Sequence, residues 1–294
     1  MKRPASIDEM RAAMARFATS EGVEKGLSFK PLPTDVFISP FAKCGTTWMQ
    51  QIVHGLRTGG SMEFDEITEV VPWVEMAHDA GFDLENQVAV PRTFKSHCSY
   101  DEIPKGGKYI TVFRDPADAC LSLYRFFEGW YFEKGSIGLD EFVTDYYLRR
   151  DNTNSYWHHA ASWWRVRDRA DVLLFAYEDM KDDLSGAVER VADFIGIPLT
   201  RELKAVVVEQ SGFDFMKRHA RHFDDHLIRK YSDAASGLPP GGESNKVATG
   251  TAGAAKPALS AAAHAALADK WADTLDTEFG LADYAALRAA VNRG

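Results

Sequence analysis

The chain has 294 residues, 45% hydrophobic and 26% charged, enough for one substantial core or at most two small ones. A formal net charge of -9 argues against nucleic acid as a general partner, because no field of the right sign surrounds the molecule, while leaving room for a local basic pocket. No apolar run approaches the roughly 20 residues of a membrane span. Three scattered cysteines without a signal-peptide pattern imply a reducing, cytoplasmic setting.

Residues 1–34 begin with an amphipathic stretch, Ile7, Met10, Met14 and Phe17, expected to form a helix packed on the body. Residues 35–39 read as a buried strand, since Val36, Phe37 and Ile38 form a β-prone run that ends before Pro40. Residues 46–57 read as a helix with Trp48, Ile52, Val53 and Leu56 on one face. The turn between them carries Lys43, Cys44 and Gly45, and its unpaired backbone N–H groups, with Thr46 and Thr47, form an anion seat. A nucleoside-triphosphate loop would place its lysine after the second glycine; here the lysine comes first. Cys44 reads as a small residue in a tight turn.

Between 59 and 87 the pattern has no clear period, and its apolar residues, Trp73 among them, could line a pocket or simply cover the sheet. Residues 92–97 read as a second strand that carries Lys95 and His97 to its carboxyl end, where ligands gather in open α/β sheets. Residues 108–113 are a third strand leading into Arg114, Asp115 and Pro116. Pro116 suits a helix start, and Ser122 lies eight residues after Arg114, so arginine and serine can converge on a second anion.

Residues 139–150 and 154–169 read as helices, the second with Trp157, Trp163 and Trp164 as core or pocket wall. Residues 171–176 form a fourth strand ending in Tyr177-Glu178-Asp179-Met180-Lys181, followed by helices over 187–195 and 200–210. His219, His222 and His226 are expected on a solvated surface. Without a C-x-x-C pair or an H-E-x-x-H motif, no metal is expected. Residues 234–256, rich in Gly, Ala and Ser, read as a mobile lid, and 260–294 as a C-terminal helical segment. The fold class is α/β: a single domain over 1–294 with a central, mostly parallel sheet flanked by helices in a P-loop-like nucleotide-binding arrangement.

Lys43-Cys44-Gly45-Thr46-Thr47-Trp48 resembles the PKSGTTW loop of the cytosolic-type sulfotransferases, Arg114-Asp115-Pro116 with Ser122 their RNP…S element, Lys95-Ser96-His97 their K-T-H segment, and residues 177–181 their YEDMK. These enzymes transfer a sulfuryl group from 3'-phosphoadenosine 5'-phosphosulfate (PAPS). The resemblance implies that Lys43, Cys44, Gly45, Thr46 and Thr47 hold the 5'-phosphosulfate, and Arg114 and Ser122 the 3'-phosphate. Trp48, Tyr177, Ser211 and Phe213 would form the base pocket, with His97 as general base and Lys95 on the transferring group. The family's R-K-G-x-x-G-x-W-K stretch falls on residues 248–256, which keep both glycines and Lys256 but lack the Arg-Lys pair and the tryptophan; the expectation is that either Lys246 or Lys256 compensates or cofactor affinity is weak. The family's dimerisation residues are absent from 256–265, so no oligomeric state is inferred.

The reading is a PAPS-dependent sulfotransferase acting by in-line displacement on a hydroxyl or amine of a small acceptor. Trp73, Phe82, Trp130, Tyr131 and Phe132 suggest that the acceptor is apolar. Two alternatives stand beside it. A nucleotide-binding regulator with weak or no turnover would bind the product, adenosine 3',5'-bisphosphate (PAP), and sulfate nothing. An NTP-dependent phosphotransferase would bind ATP with magnesium.

Overall fold

The computed structural model describes residues 2–150, 154–242, 246 and 253–292. Two short helices, α1 (Ile7–Met14) and α2 (Ser20–Leu27), precede strand β1 (Val36–Ile38) and helix α3 (Thr46–Thr58). Then come α4 (Val74–Ala80), β2 (Thr93–Lys95), β3 (Lys108–Phe113) and α5 (Pro116–Phe127). The second half contributes α6 (Tyr156–Arg165), β4 (Val172–Ala176), α7 (Tyr177–Asp182), α8 (Leu184–Ile195), α9 (Arg201–Gln210) and α10 (Phe213–Arg218). Helices α11 (His226–Ser236), α12 (Ala261–Trp271) and α13 (Tyr284–Val291) follow.

The four strands form one parallel sheet in the order β2-β1-β3-β4. Their alternating side chains feed a separate core on each face. Phe37, Phe94, Tyr109 and Phe113 join an aromatic-rich cluster on one side, and Phe37 stacks between Phe94 and Tyr109 at ring-centroid distances of 5.0 and 5.7 Å. Val36, Ile38, Ile110, Val112 and Phe175 pack against α3, α8 and α9 on the other. The chain leaves β1 for β2 on one side and returns to β3 on the other. The crevice where strand order reverses therefore lies between the carboxyl ends of β1 and β3, where such sheets bind ligands.

Some boundaries differ from expectation for local reasons. The second strand stops at Lys95, because the Ser96 hydroxyl accepts the Cys98 N–H and turns the chain, leaving His97 beyond the strand. The helix expected over 139–150 is helical only as far as Tyr147, its latter part a π-helix over Phe142–Tyr147. The helix expected from 154 starts at Tyr156 because the Ser155 hydroxyl caps it, accepting the His158 N–H. The expected lid begins inside α11, where Ala234 and Ser236 continue the helix to a left-handed cap at Gly237; alanine favours helix as readily as it fills loops. Residues 248–252, on which most of the eroded family stretch falls, lie outside the described residues.

The C-terminal segment is fastened to the sheet through residues 177–179. Tyr284 donates its hydroxyl to Glu178, and Arg288 pairs with Asp179 at 2.6 Å. Among the described residues no helix is long and apolar enough to cross a membrane.

Candidate active site

Carboxyl ends of all four strands open into one cavity of about 730 Å³. At the end of β1 the chain turns through Lys43 and Gly45, both left-handed, with φ of 66° and 101°. A side chain at position 45 would be strained, and its Cβ would meet the Tyr177 ring at 3.2 Å. Gly45 then caps α3 without a side-chain hydrogen bond, so among the described residues the first N–H groups of that helix have neither an intrahelical partner nor a capping oxygen. Thr46, Thr47 and Trp48 line the cavity beside them.

Arg114, at the end of β3, reaches across the crevice and donates from Nη1 to the Lys43 carbonyl at 2.9 Å. Its guanidinium lies 4.4 Å from the centre of the Tyr177 ring, and the Tyr156 hydroxyl holds its carbonyl at 2.7 Å. The two expected anion seats thus belong to one cavity, which Ser122 also lines. Asp115 caps α5, its Oδ1 accepting the Ala117 and Asp118 N–H groups at 2.9 and 3.1 Å. Trp48 donates its indole N–H to the Ser211 carbonyl at 2.8 Å and meets Tyr177 edge-on at 5.5 Å. Phe213 stands more exposed on the cavity wall.

Lysines gather where the seat meets the apolar part of the cavity. Lys43 Nζ lies 4.0 Å from the centre of the Phe126 ring, and Lys95 Nζ 3.8 Å from that of Trp73. Burial, then the neighbouring Lys246 charge, brings the Lys43 ammonium down to about 7. Burial brings Lys95 down to about 8, against the opposing pull of Asp225, whose carboxylate lies 3.7 Å away. Lys246 also pairs with Asp225 inside the cavity. Burial alone would raise the Asp225 carboxyl, but the charges of Lys246 and Lys95 hold it at about 2.

His97 lies two residues past β2 and is half-buried. Its Nδ1–H donates to the Pro40 carbonyl at 2.8 Å, which leaves Nε2 as the lone-pair nitrogen. Burial, followed by the Lys95 charge, pushes its pKa down to about 3, so the imidazole is neutral near pH 7. His159, behind it, is buried and engaged with the Ser39 carbonyl at 3.0 Å.

Not every expected site residue reaches the cavity. Cys44 is fully buried and does not line it; its N–H bonds to the Phe41 carbonyl, and burial pushes the thiol up to about 12. Lys256 stands exposed on the short helix Ala255–Ala258, outside the lining, so of the two lysines expected to compensate only Lys246 lines the cavity. Trp73, Trp130 and Tyr131 line the apolar part, whereas Phe82 and Phe132 do not, Phe132 being core. Met14, Phe17, Val23 and Leu27, from α1, α2 and their connection, complete that wall. Amphipathy of the N-terminal stretch indicates only that it packs, not against what.

His222 and His226 are half-buried rather than on a solvated surface, engaging the Phe64 carbonyl at 2.8 Å and Asp224 at 2.7 Å. Glu66, Asp224 and His226 bring candidate ligand atoms within 4.8 Å of one another. Glu66 there accepts the Leu227 N–H at 2.5 Å.

The cavity suits a doubly anionic nucleotide. Thr46 Oγ1 and Ser211 Oγ, both of residues that line the cavity, are buried and take no hydrogen bond among the described residues. Residues 33–267 match the sulfotransferase domain family, and the chain belongs to it, among the cytosolic-type sulfotransferases. It is 25% identical over 230 residues to sulfotransferase 1C2 of Rattus norvegicus, covering 74% of this chain and 78% of that one. It is 32% identical over 193 residues to sulfotransferase 2B1 of Homo sapiens, covering 62% of this chain and 52% of that one. The fold matches the crystal structure of mouse sulfotransferase SULT7A1 complexed with PAP, with a TM-score of 0.71, 16% identity and coverage of 93% and 94% of the two chains.

Proposed function

We propose that the chain moves the sulfuryl group of PAPS to a hydroxyl or amine of a small apolar acceptor, with His97 as general base. One observation carries the reading: His97 is locked to Pro40 through Nδ1, and its ring lines the same cavity as the uncapped α3 N-terminus. When bound, PAPS supplies an activated sulfuryl group and a phosphate leaving group. Lys43, Gly45, Thr46 and Thr47 would hold the 5' end, Arg114 and Ser122 the 3'-phosphate, and Trp48, Tyr177, Ser211 and Phe213 the base. Lys246, paired with Asp225 beside Lys43 and Lys95, would add a cation at the sulfuryl end of the nucleotide.

His97 Nε2 takes the acceptor proton as the oxygen or nitrogen attacks, which its neutral state near pH 7 permits. Lys43 and the α3 N–H groups balance charge gathering on the departing oxygen, and Lys95 balances charge on the oxygens of the moving group. Burial weakens the hold of both lysines on their protons, and an anion between them favours the charged forms.

The acceptor end is walled by Phe17, Trp73, Phe126, Phe127, Trp130 and Tyr131, which excludes water and suits a rigid apolar alcohol or phenol. Retinol dehydratase, at 18–19% identity, binds androsterone or retinol beside PAP in its crystal structures, alcohols of that character. Incubation with labelled PAPS and a panel of hydroxylated metabolites, read by mass, should yield sulfated apolar alcohols or phenols. Tight PAP binding with no sulfated product across the panel would favour the regulator reading. That reading draws on the loss of the Arg-Lys pair at 248–249 and on the position of Lys256 outside the lining.

A further inference from the structure

Lys95 and His97 leave the carboxyl end of a strand only three residues long, and the 96–98 turn after it has no regular secondary structure. The segment 72–75, just before and inside α4, holds both. The Lys95 N–H donates to the Pro72 carbonyl at 2.9 Å. The Trp73 ring lies beneath the Lys95 ammonium and meets the His97 ring edge-on, with centroids 5.2 Å apart and planes at 86°.

Glu75 completes the hold. It stands in the first turn of α4, yet it caps nothing there. Its Oε1 instead accepts three donors from the turn: the His97 N–H at 2.8 Å, the Ser96 hydroxyl at 3.1 Å and the Cys98 thiol at 3.5 Å. Glu75 also lines the cavity.

We propose that Glu75 is the positioning residue of the base: its carboxylate fixes the 96–98 backbone and thereby sets where His97 Nε2 meets the acceptor. The Pro40 carbonyl holds the far side of the imidazole, and the flanking residues are tied by the Ser96 N–H to the Ile38 carbonyl at 2.9 Å and by the Ser39 hydroxyl to the Cys98 carbonyl at 2.8 Å, so the His97 peptide between them is the part that Glu75 holds. A charge-assisted bond to the residue's own N–H, coming from a different element, fixes that peptide. Positioning at this level is worth a great deal, since a displacement of about 1 Å of a reacting group costs on the order of 10²-fold in rate. On this proposal Glu75 acts through His97 and not on the reacting atoms. This inference rests on the reading of His97 as base.

The test compares Glu75→Ala, Glu75→Gln and His97→Ala, singly and as the Ala/Ala double variant, measuring kcat, acceptor KM and PAP Kd. Glu75→Ala should lower kcat by roughly 10- to 100-fold and leave PAP Kd unchanged. Glu75→Gln, whose amide oxygen can accept the same donors, should restore most of the lost rate. Adding Glu75→Ala to His97→Ala should cost nothing further, because the residue acts through the histidine. Should the alanine variant fail to fold, Glu75→Asp, one methylene shorter, should show the same loss of kcat at constant PAP Kd. Unchanged kcat in Glu75→Ala or Glu75→Asp, or a further loss in the double variant, overturns the inference while leaving the base assignment standing. Full activity in His97→Ala would instead overturn that assignment.

Discussion

The two halves of the cavity are built on different principles. The nucleotide half rests on strand ends: the 43–48 turn after β1, Arg114 after β3 and Tyr177 after β4 are brought together by a sheet in which all strands run the same way. Much of its chemistry is backbone, since uncapped N–H groups and a left-handed Gly45 make the seat. The acceptor half is assembled from side chains of α1, α2, the 72–75 segment, α5 and the residues after it, and its wall is rich in apolar and aromatic side chains. An apolar wall can be made from many interchangeable residues, whereas an oxyanion seat tolerates few. On the proposed function, the first half fixes the reaction and the second fixes what is acted upon.

Where the halves meet, effects should be largest. His97→Ala should lower kcat by about 10² to 10⁴ while PAP affinity, measured by calorimetry, stays as in the parent; comparable losses in both would merge what the comparison separates. A smaller change is expected wholly within the acceptor half. Phe17→Ala should raise acceptor KM by about tenfold, in keeping with partial loss of one buried aromatic, with PAP affinity unaltered; weakened PAP binding would show that the wall is shared.

Smallest in amplitude, but sharpest about the junction, is Asp225→Asn. The roles proposed for Lys43 and Lys95 need their charged forms in the free enzyme, so kcat/KM should fall as pH rises through about 7 to 8. The Asp225 carboxylate favours both ammonium forms, and removing its charge should move that fall to lower pH. A fall moved to higher pH, or not moved at all, would mean that Asp225 does not face these lysines in solution.

Legibility in the sequence follows the same divide. The strand, turn and helix at 35–57 and the element around Arg114 are contiguous, so apolar runs and the place of the glycine mark them from the order of residues alone. Cys44 shows the limit: it occupies a motif position, but a turn alternates its side chains between ligand and core, and this one faces the core. Lys256 shows another, because register along the chain does not tell which face of a short helix looks inward. Asp225 and Glu75 belong to no motif. Each acquires meaning only through a partner distant in sequence, Lys95 for one and the 96–98 turn for the other. For Met14 and Phe17, amphipathy implies burial, and only the fold supplies the cavity.

The central claim is that one nucleotide spans the β1 turn and Arg114 within a single cavity. Calorimetric titration of PAP without magnesium, in the parent, Lys43→Ala and Arg114→Ala proteins, tests it most directly. One PAP should bind per chain, and each variant should weaken it by roughly 10- to 150-fold, the loss of one charge-assisted contact. PAP binding indifferent to Arg114→Ala, or a preference for ATP that requires magnesium, would contradict the account.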